Sequence, residues 1–387
     1  MLTGVNVALG VTGSIAAVKV VELAHELRRR GANVRAVMSP SAKGIIHPWA
    51  VEFATDNPVV TEITGKVEHV ELCGREGWAD VFCIAPATAN TVGKIASAVD
   101  DTPVTTCATT ALGADVPVVV APAMHEPMYD HPGVLDAIER VSSWGVEFVD
   151  PRIEEGKAKI AAEDTIALEV ARSATPSPLD GTSVVVTSGA TSEPIDPIRV
   201  LTSRSSGKTG RAVARACYAD GANVALVHPG ESVPYATDVR VETAAEMLDA
   251  VGDLVTAFPA DALVSVAAIS DYTTDAEGEK IRSGRDLSLD LRPTPKLIDE
   301  IRDDYPDLPI VGFKAEAGGD DAAMVAAARE TLARADLSFV VANDASVMGE
   351  DETRTLFVRE QSVREYGGSK AELGRQVAKD LAEELTD

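Results

Sequence analysis

The chain has 387 residues, more than one ordinary domain needs and enough for two that each bury a full core. Its 45% hydrophobic and 25% charged residues are ordinary for a soluble globular protein, and no apolar run approaches a membrane span. The net charge of −26, from 61 acidic and 35 basic residues spread along the chain, argues against nucleic-acid binding and suits a halophilic source whose salt screens the self-repulsion.

The start, Met1-Leu2-Thr3-Gly4, lacks a basic then apolar signal pattern, and Cys73, Cys83, Cys107 and Cys217 follow no disulfide or metal spacing. A cytoplasmic protein with reduced thiols is expected. Val5 to Leu9 predicts a buried strand, Gly10 to Ser14 a tight turn, and Ile15 to Arg30 a helix with Ala16, Val20, Leu23, Ala24 and Leu27 on one face. Gly31 ends the helix and Asn33 to Met38 completes a β-α-β unit, which leaves Gly13 and Ser14 at a helix N-terminus suited to a phosphate. The turn lacks the third glycine of the dinucleotide fingerprint, and the second strand runs into Ser39-Pro40-Ser41 with no acidic residue, so a mononucleotide such as a flavin phosphate fits better.

His69, in the segment Lys66 to Leu72, is a candidate base. Val81 to Ala85 predicts a strand ending in Pro86-Ala87-Thr88-Ala89-Asn90, with a helix from Val92 to Ala98. A further strand is expected near Val104, delivering Thr105 to Thr110. The unbroken apolar run Val116 to Ala121 reads as a central strand, and the loop Pro122 to Asp130, with Met124, His125 and Met128, stands at its end, where ligands gather.

The Pro/Ser-rich stretch Ala171 to Gly181 marks a boundary, giving domains 1–175 and 176–387. The second half restarts with a strand, Ser183 to Thr187, and a glycine turn, Ser188 to Pro194. Arg199, Arg204, Ser205, Ser206 and Lys208 then offer charge-assisted donors to a phosphate, although Gly207-Lys208-Thr209 is a poor imitation of a Walker A end. A helix from Arg211 to Tyr218 and strands at Asn223 to Val227, Ala262 to Ala268, Pro309 to Phe313 and Leu337 to Val341 follow, the last three ending in polar residues. The hairpin near Arg354 to Arg359 and the final helix, Lys370 to Leu385, read as structural. The fold class is therefore α/β: two Rossmann-like three-layer domains with mainly parallel sheets, the first flavodoxin-like.

Gly10 to Ala17, Ala85-Pro86-Ala87-Thr88-Ala89-Asn90 and Pro122-Ala123-Met124-x-x-x-Met128-Tyr129 resemble the flavin-containing cysteine decarboxylases, in particular the decarboxylase half of the bifunctional phosphopantothenoylcysteine decarboxylase/phosphopantothenate-cysteine ligase family of coenzyme A biosynthesis. That resemblance implies an FMN held by Gly13, Ser14, Ser39, Pro86, Ala87, Asn90, Ala108 and Met124, with His69 as base. FMN would accept two electrons from the cysteinyl thiol, after which carbon dioxide leaves easily because the charge left behind spreads onto sulfur. The family's carboxylate-holding asparagine is His125 here, and its proton-donating cysteine has no counterpart in Arg152 to Lys159. Lys157, with Lys159 beside it, is the candidate donor; without one, this half would release the enethiol.

In the second half S-G-A-T-S-E-P-I-D-P-I-R, S-S-G-K-x-G, A-A-x-x-D-Y, E-K-I-R, V-G-F-K-A-E and A-N-D match the ligase module in order. The resemblance implies that CTP, with ATP left open, meets Gly189, Ala190, Thr191, Ala267, Asp271, Lys280 and Phe313, and that Lys280 neutralises charge during transfer. Arg199, Ser203 and Ala268 would meet phosphopantothenate, Ser203 standing where the family has asparagine. Mg2+ would arrive with the nucleotide, since no metal ligand set is fixed by the sequence. The resemblance further implies a homo-oligomer, with trimeric flavin domains and dimeric ligase domains. The alternatives are a ligase with a decayed or enethiol-releasing flavin domain, a nicotinamide-dependent dehydrogenase, which the missing fingerprint disfavours, and a flavin prenyltransferase-like protein, which would leave the second half unexplained.

Overall fold

Val7, Leu9, Phe82, Cys83, Ile84 and Val118 to Val120 are all buried, so their strands must be covered on both faces. In the computed structural model, which describes residues 1–284, 286–316, 320–344 and 352–386, they form the first of two compact units, Met1–Pro176 and Ser177–Asp387. The first unit runs β1 (Asn6–Val11), α1 (Val20–Arg29), β2 (Asn33–Met38), α2 (Pro48–Thr55), α3 (Glu68–Cys73), β3 (Val81–Ala87), α4 (Ala89–Ala96), α5 (Pro103–Gly113), β4 (Val118–Pro122), β5 (Met124–His125), α6 (Glu126–Tyr129), α7 (Pro132–Ser142), β6 (Glu147–Phe148), β7 (Arg152–Glu154), β8 (Lys157–Lys159) and α8 (Glu163–Ala174).

Its main sheet is parallel, in the order β2-β1-β3-β4-β6, which is the flavodoxin-like arrangement. The chain leaves β1 to one side and later returns to the other, so a crevice opens at the carboxyl ends of β1 and β3. Phe82, Ile84, Val118 and Val120 turn to α3, α4, α5 and α7, while α1 and α8 pack together and α8 covers β3 and β4. A second small sheet, β5-β8-β7, stands beside the end of β4.

Three sequence expectations are corrected here. The helix expected from Ile15 begins as a 3-10 turn, Ile15–Lys19, because the Ala17 N–H bonds the Ser14 carbonyl only three residues back. The helix expected from Val92 starts earlier, at Ala89, where the Thr88 hydroxyl accepts the Thr91 N–H. The strand expected near Val104 is helix α5. Its threonines suggest a strand, but Thr102 and Thr105 form a reciprocal capping box, Pro103 occupies the first turn, and the Thr106 and Thr110 hydroxyls bond back to the carbonyls of Thr102 and Thr106.

The second unit runs β9 (Ser183–Thr187), β10 (Ser192–Pro194), β11 (Val200–Thr202), α9 (Lys208–Ala219), β12 (Asn223–His228), β13 (Thr237–Arg240), α10 (Ala244–Ala257), β14 (Ala262–Ser265), β15 (Tyr272–Thr273), β16 (Arg292–Pro293), α11 (Leu297–Asp304), β17 (Ile310–Glu316), α12 (Asp321–Arg334), β18 (Phe339–Asp344), β19 (Glu352–Val358), β20 (Val363–Ser369) and α13 (Lys370–Thr386). Its sheet order is β13-β12-β9-β14-β17-β18-β19-β20, parallel as far as β18 and antiparallel beyond. The six parallel strands have the doubly wound Rossmann order, with the switch between β9 and β14. Helices α10, α11 and α12 share one core with the sheet, and α9 packs with α13 so closely that a Cβ on Gly374 would lie 2.4 Å from the Ala212 carbonyl oxygen.

Thr102→Ala removes the α5 cap and is expected to cost about 1 kcal/mol, read as a lower urea midpoint for the first unit.

Candidate functional site

The crevice of the first unit is a cavity of about 510 Å³, mostly apolar, bounded by Gly13 to Ala16, Thr88, Ala123 to His125, Met128 and the β7-β8 hairpin. Gly13 is required by space: a Cβ there would stand 2.4 Å from the Ser41 Oγ. Ser39 supports that wall from behind. It is buried, its Oγ lies 3.1 Å from the Ser41 Oγ, and it accepts the Ala42 N–H. The Ser14 Oγ donates to the Ala123 carbonyl at 3.1 Å, joining the turn after β1 to the exit of β4. Thr12 likewise donates to the Pro86 carbonyl at 2.7 Å.

The hairpin closes the cavity. Glu155 and Gly156 have φ of 53° and 67°, so they form the two-residue turn whose twist matches paired strands. Strand β8 then pairs with β5, setting Ala158 opposite Met124 and Lys157 opposite His125. Side chains opposed in this way are direct neighbours. His125 and Lys157 are both exposed. Lys159 is committed elsewhere: Glu155 at 2.9 Å and Glu154 at 3.1 Å hold its ammonium above the usual lysine range. No thiol is available as an acid, since all four cysteines are buried and burial pushes Cys83 and Cys217 up to about 12.

Of the residues expected around a flavin or as its proton donors, Gly13, Ser14, Met124, His125, Lys157 and Lys159 line this cavity. Pro86 and Ala87 end β3, with Ala87 fully buried, and Asn90 is exposed in the first turn of α4. Ala108 is corrected from a strand-end position to a fully buried one inside α5. His69 lies on α3, outside the cavity lining, and its Nδ1 is buried with no hydrogen-bond partner among the described residues. Thr88 and Arg152 were not singled out as site residues, and only the cap signal at Thr88 could have found one of them.

In the second unit a cavity of about 110 Å³ sits at the β9/β14 switch, lined by Gly189, Ser205 to Gly210, Val266 to Ala268, Phe313, Ala315, Asn343, Thr353, Thr355, Lys370 and Leu373. Gly189 has φ +92°, Gly207 has φ +73° and would place a Cβ 2.9 Å from the Gly189 Cα, and a Cβ on Gly210 would lie 2.5 Å from that of Ser188. Backbone therefore meets backbone at the N-terminus of α9, which has no side-chain cap and whose first residues line the cavity. The Thr187 Oγ1 accepts the N–H groups of Val266 and Ala267, and the Thr191 Oγ1 accepts that of Ser270. Ala268 is bonded through both backbone groups, to the Gly189 carbonyl and the Thr191 N–H.

Gly189, Ala267, Ala268 and Phe313 thus share this cavity. Ala190 and Thr191 continue the turn beside it, Ala190 bridging to Ala268. Ser203 is exposed, its Oγ accepting the Ser205 N–H; Asp271 pairs with Lys296; Lys280 is exposed on the 274–291 loop. None of these three lines the cavity. Arg199 lies outside the cavity lining, and its guanidinium donates to the Asp196 Oδ2 and the Ile281 carbonyl, both at 2.9 Å. The β19-β20 hairpin and α13, read as structural, contribute Thr353, Thr355, Lys370 and Leu373 to the lining. The Thr355 Oγ1 is buried there with no partner among the described residues. Alternation of Thr353 and Thr355 about Arg354 is the only sequence signal that could have found them.

The flavoprotein family profile matches residues 1–175, and that of the DNA/pantothenate metabolism flavoprotein C-terminal domain matches 179–385. The coenzyme A biosynthesis bifunctional protein CoaBC of Thermococcus kodakarensis is 47% identical over 390 residues, covering 100% of this chain and 95% of that protein. Its namesake in Methanocaldococcus jannaschii is 34% identical, covering 97% and 93%, and that in Bacillus subtilis 32%, covering 99% and 98%.

Two outcomes follow from the second cavity. Gly207→Ala forces a side chain into a left-handed backbone pressed on Gly189, and nucleotide titration by calorimetry should show binding at least about tenfold weaker. Burial pushes the Asp196 carboxyl up, but the N–H groups of Ile198, Ile281 and Arg199 and the Arg199 charge outweigh it, leaving it below the ordinary 3.8. Its contribution is therefore present above pH 3.8 and lost as pH falls through the lower folded value. Urea midpoints of wild type should fall more steeply than those of Asp196→Asn across that window.

Proposed function

The chain belongs to the bifunctional coenzyme A biosynthesis family, and on that premise we propose which unit and which residues carry each of its two activities. It is an enzyme that ligates phosphopantothenate to cysteine and decarboxylates the product. The observation that carries this is likeness along the whole chain to proteins with both activities, which disfavours a ligase with a decayed flavin domain. We assign the decarboxylase to residues 1–175 and the ligase to 176–387, in a cytoplasmic homo-oligomer. Among the described residues no helix is long and apolar enough to cross a membrane.

In the first unit Gly13, Ser14 and Met124 would hold FMN, supported by Ser39, Pro86, Ala87, Asn90 and Ala108. The side-chain-free wall at Gly13, the hydroxyl of Ser14 and the mostly apolar cavity fit a flat ring carrying a phosphate. When bound, FMN supplies an acceptor and later a donor of two electrons. His69, which lies outside this chain's own cavity lining, would take the substrate thiol proton at a site completed between copies of the homo-oligomer, and its Nδ1 has no hydrogen-bond partner among the described residues. His125 bonds the substrate carboxylate through an imidazole N–H. Lys157, its cross-strand neighbour, delivers the proton that completes the product, a role for which Lys159 is tied up by two carboxylates.

In the second unit the Gly189 to Thr191 turn and the N-terminus of α9 hold the triphosphate of CTP, with Mg2+ arriving on the nucleotide. Ala267, Asp271 and Phe313 orient it. The substrate carboxylate attacks the α-phosphate, diphosphate leaves, and cysteine's amine displaces the nucleotide from the acyl phosphate. Lys280 offsets the charge that develops on the phosphate oxygens. Ser203 and Ala268 face phosphopantothenate.

Incubation with phosphopantothenate, cysteine and CTP should release diphosphate and carbon dioxide, and ATP should support less of the former. Diphosphate without carbon dioxide would sink the decarboxylase assignment. Lys157→Ala should still release carbon dioxide but accumulate enethiol, with saturated product formed at least about tenfold more slowly. Lys159→Ala should retain turnover.

A further inference from the structure

Lys280 is exposed on the 274–291 connection between β15 and β16, of which Arg285 lies outside the described residues. A lysine in that setting has many conformations, and it can meet a developing charge reproducibly only if its backbone is held. The holding groups come from the connection between β10 and β11. The Asp196 side chain is fully buried, and four donors satisfy it. Its Oδ1 accepts the N–H groups of Ile198 at 2.8 Å and Arg199 at 2.9 Å. Its Oδ2 accepts from the Arg199 guanidinium at 2.9 Å and from the N–H of Ile281 at 3.1 Å. Arg199 completes the ring by donating to the Ile281 carbonyl at 2.9 Å.

Both backbone groups of the residue after Lys280 are therefore bonded to one ion pair, whose carboxylate is buried and whose guanidinium is partly exposed. On the other side, the Glu277 N–H bonds the Ile195 carbonyl at 2.9 Å. The clamp is also tied to the nucleotide turn. Asp196 follows two residues after β10, β10 begins directly after Thr191, and β10 packs on β15, where the Lys280 connection starts. A buried carboxylate satisfied by four donors is costly to disturb, so this arrangement has one well-defined geometry.

We propose that Asp196 and Arg199 are positioning residues that hold Lys280 in register with the Gly189 to Thr191 turn. The proposal rests on the reading of Lys280 as the charge-neutralising group of the ligase. The test is a double-mutant cycle on the full chain, following diphosphate release from CTP, phosphopantothenate and cysteine. Lys280→Ala should lower kcat at least about tenfold. Asp196→Asn should lower kcat about three- to tenfold with KM for CTP within about twofold, and should add little further loss in the Lys280→Ala background. Arg199→Gln should repeat that pattern and keeps the test decidable should Asp196→Asn fail to fold. Arg199→Lys, which keeps the charge but cannot bridge two partners, should resemble Arg199→Gln.

Undiminished kcat in Asp196→Asn and Arg199→Gln, with Lys280→Ala impaired, overturns the clamp and leaves the Lys280 reading intact. So does an equal further loss from these variants in the Lys280→Ala background, which would place their effect elsewhere. A raised KM for phosphopantothenate at unchanged kcat in Arg199→Gln, relieved in Arg199→Lys, would return Arg199 to substrate binding. Unchanged kcat in Lys280→Ala overturns the parent reading and the clamp with it.

Discussion

Both units depend on a glycine backbone passing so close to a neighbouring segment that no Cβ can stand. At the end of β1, Gly13 lies against Ser41; after β9, Gly207 and Gly210 lie against Gly189 and Ser188. Parallel sheets place these approaches at the carboxyl ends of strands, where neighbouring crossovers part in opposite directions and leave a crevice. Small side chains there do more than avoid collision. They let the chain turn tightly into a helix at each crevice, so the feature that permits close packing also sets a helix start where a phosphate can approach.

From this common beginning the two crevices acquire different chemistry through what the later chain brings to them. In the first, an added three-stranded sheet lays Met124, His125 and Lys157 over a mostly apolar floor, an environment for a ring and a carboxylate. In the second, the first turns of α9 and the β19 threonines line a smaller and more polar space. Within a chain of net charge −26, some cations do stand where anionic ligands would arrive, Lys157 by one cavity and Lys208 and Lys370 in the lining of the other.

Much of this was legible in order along the sequence. Apolar runs without alternation located the buried strands, and glycine turns after the first strand of each half located the crevices. The errors lie where local preference and distant partners disagree. The threonines of α5 favour a strand by composition, yet side-chain bonds to their own backbone make them helical. The pairing of β5 with β8 joins residues more than thirty positions apart through two-residue contacts, which no periodicity records. Arg199 reads as a phosphate ligand because a basic residue in an acidic protein invites that role, and its bridging contacts were not legible beside it. Its partners, a buried aspartate three residues away and a carbonyl eighty-two residues on, belong to tertiary structure alone. His69 has the opposite character: its sequence neighbours say little, and an unsatisfied ring nitrogen marks it only once α3 is in place.

The hairpin turn at Glu155 and Gly156 carries an evolutionary consequence. Side chains alternate along β8, so one inserted or deleted residue in that turn would carry Lys157 to the opposite face and bring a neighbour to His125. Descendants of this chain can vary the exposed charges of Glu154 and Glu155 by single substitutions without moving that register. The turn's length cannot drift by one, because the alignment of two short strands keeps position 157 opposite His125 at the cavity.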